Sequence, residues 1–95
     1  MVFVVSQLEV RDFDAWKLAF NSDFGGRREI ARGHQVLRGV DDPNQVFVVT
    51  EYASAEDAKS SMERFLASGV LGRVSDNVTV TTQPVVTEQV ESERY

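Results

Sequence analysis

The segment that most constrains the fold is VFVVSQLEV at residues 2–10, because its first half is apolar on both sides. Its β-branched and aromatic residues, followed by alternation of apolar and polar residues, predict a β-strand. One face of this strand begins with Val2 and Val4, and the other begins with Phe3 and Val5. Both faces therefore need cover, which a layer of helices provides on one side and a second sheet on the other.

An aromatic stripe follows this strand. Asp12 predicts an N-cap, because its carboxylate accepts hydrogen bonds from the backbone N–H groups of the first helical turn. Spacings of three and four residues then place four aromatic side chains on one side of a helix: Phe13, Trp16, Phe20 and Phe24. The glycine pair at 25–26 either ends this helix or kinks it. If the helix is only kinked, the basic segment 27–32 continues it.

Two strands at residues 34–40 and 45–52 form a predicted hairpin around the turn residues Asp-Asp-Pro-Asn at 41–44. If residue 40 pairs with residue 45, then residue 38 pairs with 47 and residue 34 with 51. This register predicts a polar cluster on an apolar face, made of His34, Arg38 and Glu51 with Val36, Phe47 and Val49. A slip of one residue in the pairing would move half of this cluster to the other face.

A second helix begins at Ser54, and VTVTTQPVV at residues 78–86 is the last predicted strand. Pro84 lacks a backbone N–H donor, so the second half of this strand is expected at a sheet edge or a bulge. The order strand-helix-strand-strand-helix-strand predicts an α+β fold of the ferredoxin-like βαββαβ kind, with two helices on one face of a four-stranded antiparallel sheet. A second copy of the chain would cover the other face.

The domain organisation follows from length and composition. Residues 1–86 form one predicted domain, and residues 87–95 form an acidic tail that is either loose or an arm across a partner. The net charge of −5 argues against nucleic-acid binding. The chain has no cysteine and one histidine, so a metal site is not expected. No apolar run reaches the roughly 20 residues of a membrane span and no signal peptide is recognisable, so a cytoplasmic protein without a membrane partner is expected.

Three segments carry a resemblance to a known group of proteins: VRDFDAWKLAF at 10–20, GHQVLRGVDDPNQVFVVTEY at 33–52, and SAEDAKSSMERFLAS at 54–68. On these segments the chain resembles the dimeric α+β barrel superfamily, near its antibiotic-biosynthesis-monooxygenase-like and small cyclase-like proteins. The resemblance implies a homodimer. The members of this superfamily include cofactor-free oxygenases and cyclases of aromatic polyketides. Haem-degrading members of the superfamily bind haem through a histidine ligand. His34 lies at the start of a predicted strand and does not match that position, so no cofactor is expected.

Two residues are the candidates for catalysis. His34 is the one side chain whose unperturbed pKa lies near neutrality, so it is predicted as a general base or as an anchor for a substrate carbonyl. The alternative for His34 is a half-solvated residue at a strand end. Arg38 lies in the middle of a strand, where a charge indicates either a wet cavity or a structural ion pair with Glu51.

The predicted substrate-binding residues are mostly aromatic: Trp16, Phe20, Phe24, Phe47, Glu51 and Tyr52. Trp16, Phe20 and Phe24 either stack on a flat ligand or simply pack helix against sheet. Tyr52 either donates a proton or hydrogen bond at the strand end or packs at an edge. The basic residues Arg27, Arg28 and Arg32 either steer an anionic substrate or lie in water at a helix end.

The sequence thus predicts a homodimer that binds a small apolar or aromatic molecule. Whether it is an enzyme stays open. As an enzyme it would be a cofactor-independent cyclase or monooxygenase of an aromatic or polyketide-like substrate. The alternative is a non-catalytic ligand-binding or assembly protein of the same fold. A cavity of roughly 300 Å³ or more, lined by the predicted residues, would favour a ligand site, and a fully packed interior would favour the alternative.

Overall fold

A computed structural model of the chain describes residues 1–22 and 26–95. Its elements follow the chain in this order: β1 (Val2–Val10), α1 (Phe13–Asn21), α2 (Arg27–Ile30), β2 (Gly33–Arg38), β3 (Gln45–Tyr52), α3 (Ala55–Ala67), α4 (Val70–Arg73) and β4 (Val78–Glu88). The strands form one antiparallel sheet in the order β2-β3-β1-β4. The predicted ferredoxin-like βαββαβ fold is confirmed, with α2 and α4 as short additions to its two crossovers.

The two main helices begin where the sequence predicts. An Asp12 carboxylate oxygen accepts a hydrogen bond from the Ala15 N–H at 3.1 Å, and the Ser54 hydroxyl accepts one from the Asp57 N–H at 3.1 Å. The basic segment forms the separate helix α2, which ends at Ile30. Phe24, the last residue of the predicted aromatic stripe, lies outside the described residues.

The helices pack on one face of the sheet, which we call the covered face. Its strand residues belong to two clusters, one around Val10 and Val46 with Trp16 of α1, the other around Val4 and Tyr52 with Ala58 of α3. Val46 and Ala58 are 0% exposed. All of these strand positions are even-numbered, because alternate residues of a strand point to the same side of a sheet.

The opposite side of the sheet, which we call the open face, is also apolar. Its large side chains are Phe3, Val5, Leu37, Phe47, Val49 and Val85. Leu37 and Val85 are each 49% exposed. In the described part of the chain, the helix residues of both core clusters pack against the covered face instead. One sheet that is apolar on both sides, with helices on one of them, matches the prediction from the first strand.

The hairpin between β2 and β3 corrects the predicted register. Arg38 pairs with Val46 and His34 with Thr50, so the predicted pairing of residue 38 with 47 is wrong by one residue. The reason is a longer loop: the Gly39 N–H donates to the Gln45 carbonyl at 2.9 Å, which leaves residues 40–44 as the turn. A Cβ at Gly39 would lie 2.5 Å from the Asp42 carbonyl oxygen, so this tight return of the backbone requires glycine.

β4 lies at a sheet edge and is irregular, as Pro84 predicts. Its pairing with β1 shifts register twice, between Val5 and Gln7 and between Gln7 and Leu8. The strand continues to Glu88, two residues beyond its predicted end, and the Gln89 N–H donates to the Met1 carbonyl at 2.9 Å. The remaining residues to Tyr95 are exposed and have no regular secondary structure.

Asn77 connects the start of β4 to the start of α1. Its side-chain oxygen accepts hydrogen bonds from the backbone N–H groups of Arg11 and Asp12, at 3.1 and 2.7 Å. Its side-chain nitrogen donates to the Asp12 carbonyl at 3.0 Å. The first helix is therefore positioned by a residue more than 60 positions later in the sequence. None of the helices that the structure describes is long and apolar enough to cross a bilayer.

Candidate functional site: a cavity between helices and sheet

A cavity of about 250 Å³ lies between the helices and the covered face. Strands β1, β3 and β4 form its floor, and α1, α2 and α3 contribute its other walls. Most lining side chains are apolar, including Val4 and Leu8 of β1, Val48 of β3, and Met62 and Phe65 of α3. The interior of the protein is therefore not fully packed at this position.

Helix α1 supplies an aromatic wall. Trp16 and Phe20 lie one helical turn apart, and their rings stack with centroids 5.1 Å apart and an interplanar angle of 30°. Trp16 is only 6% exposed although it borders the cavity. A flat aromatic ligand would find a pre-formed aromatic surface on this side.

A buried pair of hydroxyl groups interrupts the apolar lining. The Tyr52 hydroxyl, at the end of β3, donates to the Ser61 hydroxyl of α3 at 2.8 Å. Tyr52 is 3% exposed and Ser61 5% exposed, so both hydroxyl groups lie in a poorly hydrated place. Ser6, Thr50 and Gln83 add further polar side chains to the lining. These groups can orient a carbonyl or hydroxyl oxygen of a ligand.

A guanidinium group also borders the cavity. The central carbon of the Arg27 guanidinium lies 3.8 Å from the centre of the Phe20 ring. One of its terminal nitrogens donates to the Phe20 carbonyl at 3.4 Å. Arg27 lies at the start of α2 and is half-buried. It gives the cavity a cation that is fixed against one of the aromatic rings.

Of the predicted substrate-binding residues, Trp16, Phe20 and Tyr52 line the cavity. Phe47 and Glu51 lie on the open face, since their neighbours Val46, Val48 and Thr50 point to the covered face. The predicted cluster of His34, Arg38 and Glu51 therefore does not form. Its premise was the register that the longer loop overturns.

The two candidate catalytic residues are not among the residues that line the cavity. His34 is exposed on the edge strand β2, and its ring meets the edge of the Phe20 ring at a centroid distance of 5.0 Å. The Arg38 guanidinium lies 4.1 Å from the centre of the Phe13 ring, and its Nε donates to the Pro43 carbonyl at 3.2 Å. His34 thus contacts the cavity residue Phe20, whereas Arg38 contacts Phe13 at the start of the aromatic stripe.

Two polar residues of the cavity lining, Ser61 and Thr50, are not among the predicted site residues, although each has a recognisable signal in the sequence. Ser61 shares the helical stripe of Ala58, Met62 and Phe65 at spacings of three and four residues. Thr50 continues the alternation of the buried residues of β3. In both cases a small polar residue at an apolar position indicated a polar contact inside the protein.

A second, polar cleft of about 280 Å³ lies near the start of β4 and includes Glu9, Arg11, Asp76 and Asn77. Its most buried polar group, the Asn77 amide, is held by the backbone bonds to Arg11 and Asp12. Within residues 1–22 and 26–95, no three histidine, aspartate or glutamate side chains come together as metal ligands. The cavity under the helices is the better candidate for a ligand site.

No protein-family model and no curated protein sequence matches the chain. Solved structures do match. A protein of Nitrosomonas europaea assigned as an antibiotic biosynthesis monooxygenase has 18% identity and a TM-score of 0.71, over 96% of this chain and 100% of that one. A similarly assigned protein of Deinococcus radiodurans has 13% identity and a TM-score of 0.70, over 100% and 98%.

SnoaB, a cofactor-independent oxygenase from Streptomyces nogalater, has 17% identity and a TM-score of 0.68 in one of its variants, over 96% of this chain and 94% of that one. All three alignments span nearly the whole of both chains, so the likeness concerns the complete fold and not a shared fragment. At these identities the likeness concerns the fold and does not transfer an activity. The chain therefore has the ferredoxin-like fold that these antibiotic-biosynthesis-monooxygenase-like structures share.

Proposed function

We propose that this protein is a homodimer that binds a small aromatic or polyketide-like molecule in the cavity and oxygenates or cyclises it without a cofactor. The observation that carries the proposal is the apolar cavity of about 250 Å³ with its wall of stacked Trp16 and Phe20. SnoaB, which has the same fold, is described as a cofactor-independent oxygenase. That description supports this chemistry over others for a cavity of this kind.

The size of the cavity limits the ligand. An apolar cavity of about 150 Å³ accepts benzene. The cavity here, at about 250 Å³, is larger than that and slightly smaller than the threshold of roughly 300 Å³ set by typical ligand sites. A molecule of about two fused rings fits this volume best.

The open face supports the homodimer. Phe3, Val5, Phe47 and Val49 form an apolar surface on the two central strands, and surfaces of this kind mark interaction sites. Two such sheets packed face to face would bury them, as the two layers of a β-sandwich do. The covered face would remain with each protomer's own helices, so each protomer would keep its own cavity.

Cofactor-free oxygenation draws its electrons from the substrate. An activated CH₂ group next to an aromatic ring loses a proton, and the resulting carbanion reduces O₂. One oxygen atom becomes the new carbonyl and the other leaves as water, so that CH₂ and O₂ give C=O and H₂O. The protein would hold the ring, exclude water and accept the proton. His34 and Arg38 stay the predicted catalytic residues, with His34 the nearer to the cavity through Phe20.

Ligand binding can be tested with the protein's own fluorescence. The chain contains one tryptophan, Trp16, and it borders the cavity. We expect a two-ring aromatic compound such as 2-acetylnaphthalene to quench Trp16 fluorescence saturably. Val80→Phe, which fills the cavity from β4, should weaken this binding about tenfold or more. Leu18→Phe, on the exposed side of α1, should leave it unchanged. Equal binding by both variants would place the ligand elsewhere.

Catalysis can be tested by O₂ consumption with 2-tetralone, a two-ring ketone whose CH₂ group between the aromatic ring and the carbonyl is activated in the required way. The proposal predicts O₂ uptake and the formation of the corresponding 1,2-diketone. His34→Ala and Arg38→Ala should lower turnover, about 100-fold for a lost general base, while the dimer stays folded. If both variants turn over at the original rate, neither residue takes part in the mechanism.

The second candidate function is binding without chemistry. It is favoured by the lining itself: among the described residues, no histidine and no carboxylate borders the cavity. A protein of this kind would bind the two-ring compound with Trp16 quenching and consume no O₂. The two experiments together therefore separate a catalyst from a carrier.

A further inference from the structure

Two bonded hydroxyl groups belong to residues that line the cavity: the Tyr52 hydroxyl donates to the Ser61 hydroxyl at 2.8 Å. We propose that this hydroxyl pair donates a hydrogen bond to a neutral oxygen of the ligand, so that the cavity selects aromatic ketones over hydrocarbons of the same shape. This inference rests on the proposed ligand site. It adds the chemical class of the ligand and the residues that select it.

The hydroxyl pair has one more donor than its own bond uses. Tyrosine and serine hydroxyls each carry one O–H donor, and each oxygen can also accept. A single bond between them therefore uses one of the two donors, whichever hydroxyl supplies it. Within residues 1–22 and 26–95, neither hydroxyl forms a second hydrogen bond. The second O–H is thus available to an acceptor inside the cavity.

Burial makes this second donor selective. Tyr52 and Ser61 are both almost completely buried, and most of the surrounding cavity lining is apolar. A bound hydrocarbon would leave the second O–H without an acceptor in a poorly hydrated place, which costs free energy. A ketone oxygen would supply that acceptor. Sites with buried hydrogen-bonding groups reject analogues that lack the matching group for the same reason.

The bond within the pair strengthens the donor that it leaves over. When the Tyr52 hydroxyl donates to Ser61, it polarises the Ser61 O–H, which then donates more strongly to a third group. Thr50 also lines the cavity, two residues before Tyr52 on the same face of β3, but its hydroxyl takes no part in this bond. The pair is therefore a better donor than the single hydroxyl of Thr50.

The hydroxyl pair and the aromatic wall suit two ends of one ligand. Trp16 belongs to the same core cluster as Val48, and Tyr52 belongs to the cluster of Ala58. Val48 and Tyr52 are four residues apart in β3, which is about 13 Å along a strand. A two-ring ketone between them would place its rings against Trp16 and direct its oxygen towards Tyr52.

The test compares 2-acetylnaphthalene with 2-isopropenylnaphthalene, in which a CH₂ group replaces the ketone oxygen. Dissociation constants for the intact protein are measured by calorimetry and by Trp16 quenching. A purely apolar cavity would prefer the hydrocarbon, because the ketone must give up its hydration. We expect the reverse, with the ketone binding about tenfold or more tightly. The C=O stretching frequency of the bound ketone should also lie below its value in an alkane solvent, because a hydrogen bond weakens the C=O bond.

The variant that tests the pair combines Tyr52→Phe with Ser61→Ala. It removes both hydroxyls together, so neither leaves the other without its partner, and the protein should stay folded. We expect the preference for the ketone to disappear, and the shift of the C=O frequency with it. The hydrocarbon should bind at least as tightly as it does to the original protein, which shows that the cavity is intact.

Two controls remove hydroxyl groups from other places. Tyr95→Phe combined with Ser75→Ala makes the same two changes at exposed residues outside the cavity lining, and should keep the preference for the ketone. Thr50→Val removes a hydroxyl from the lining but not from the pair, and should keep the preference as well.

Four outcomes would contradict the inference. If the hydrocarbon binds to the original protein as tightly as the ketone, the selection is wrong and the ligand site remains. If the variant without the pair binds both ligands more weakly by the same factor, the pair has a structural role only. If Thr50→Val abolishes the preference and the variant without the pair keeps it, Thr50 binds the oxygen instead. If neither ligand binds to the original protein, the proposed ligand site and the inference both fall.

Discussion

Both faces of the sheet carry large apolar side chains, and the two faces differ in what covers them. On the covered face, Val10 and Val46 are 1% and 0% exposed, whereas Leu37 and Val85 on the open face are each 49% exposed. The helices cover only one face of the sheet. Even on that face they leave the cavity between the helices and the sheet. This difference in burial indicates that the two faces have different proposed binding partners. A small molecule would bind under the helices, and a second protomer would pack on the open face.

The largest expected effect is the loss of the dimer when a charge is placed on the open face. Phe47→Glu puts a carboxylate at the centre of the proposed interface, where burial without a partner costs several kcal/mol. We expect the variant to sediment as a folded protomer of 10.6 kDa at concentrations at which the original protein is a dimer.

The control for this experiment is Val40→Asp, which adds the same charge in the β2–β3 turn at a side chain that is 99% exposed. This variant should remain dimeric. Should the original protein itself sediment as a protomer at high micromolar concentration, the open face has no second copy and the comparison between the faces would need another explanation.

A smaller effect separates the two faces along a single strand. Val46→Ala on the covered face should lower the free energy of unfolding by about 2 kcal/mol, from lost burial and the space left behind. Val49→Ala, on the open face of the same strand, should cost about 1 kcal/mol or less in the isolated protomer. Both values come from urea unfolding followed by circular dichroism.

Protein concentration sharpens this pair of measurements. In a dimer, Val49 is buried by the partner, so the cost of Val49→Ala should grow with protein concentration. Val46→Ala should lower the free energy of unfolding by the same amount at every protein concentration, when it is compared with the original protein at that concentration. Identical concentration dependence in the two variants would argue against burial of the open face.

The smallest effect concerns polar groups. Tyr52→Phe removes the hydroxyl that donates to the buried Ser61 on the covered face, and should lower the free energy of unfolding by about 1 kcal/mol. On the open face, Thr87→Val removes a hydroxyl that donates to the Phe3 carbonyl at 2.8 Å, in a partly buried place. We expect a cost of about 0.5 kcal/mol there, because water more readily replaces the lost partner. Equal costs would mean that water reaches Ser61 as well.

Much of the fold was predictable because several local signals agreed. The caps at Asp12 and Ser54, the turn residues at 41–44, and the edge position of Pro84 each fixed one boundary or one strand position. The order of helices and strands then allowed few arrangements. Apolar residues on both sides of β1 indicated correctly that helices would cover only one of them.

The candidate site was less predictable because it depends on the hairpin register. The sequence pattern predicts Gly39 as a strand residue, although the position of this glycine next to a turn is a sign that the loop begins there. The resulting shift of one residue moved Phe47 and Glu51 to the open face. Trp16, Phe20 and Tyr52 were placed more reliably because helical spacing and strand alternation do not depend on that loop.

The bonds from Asn77 to the start of α1 have a consequence for how the protein is made. Among the four strands of this sheet, β1 leaves the ribosome first, and one of its two neighbours, β4, leaves last. Until residues 78–88 emerge, one edge of β1 stays unpaired and exposes its backbone to other chains. The anchor of α1 is missing for the same time, and with it the final position of the cavity's aromatic wall. Completion of the site therefore waits until β4 has been synthesised, and chaperone protection should matter most just before that moment.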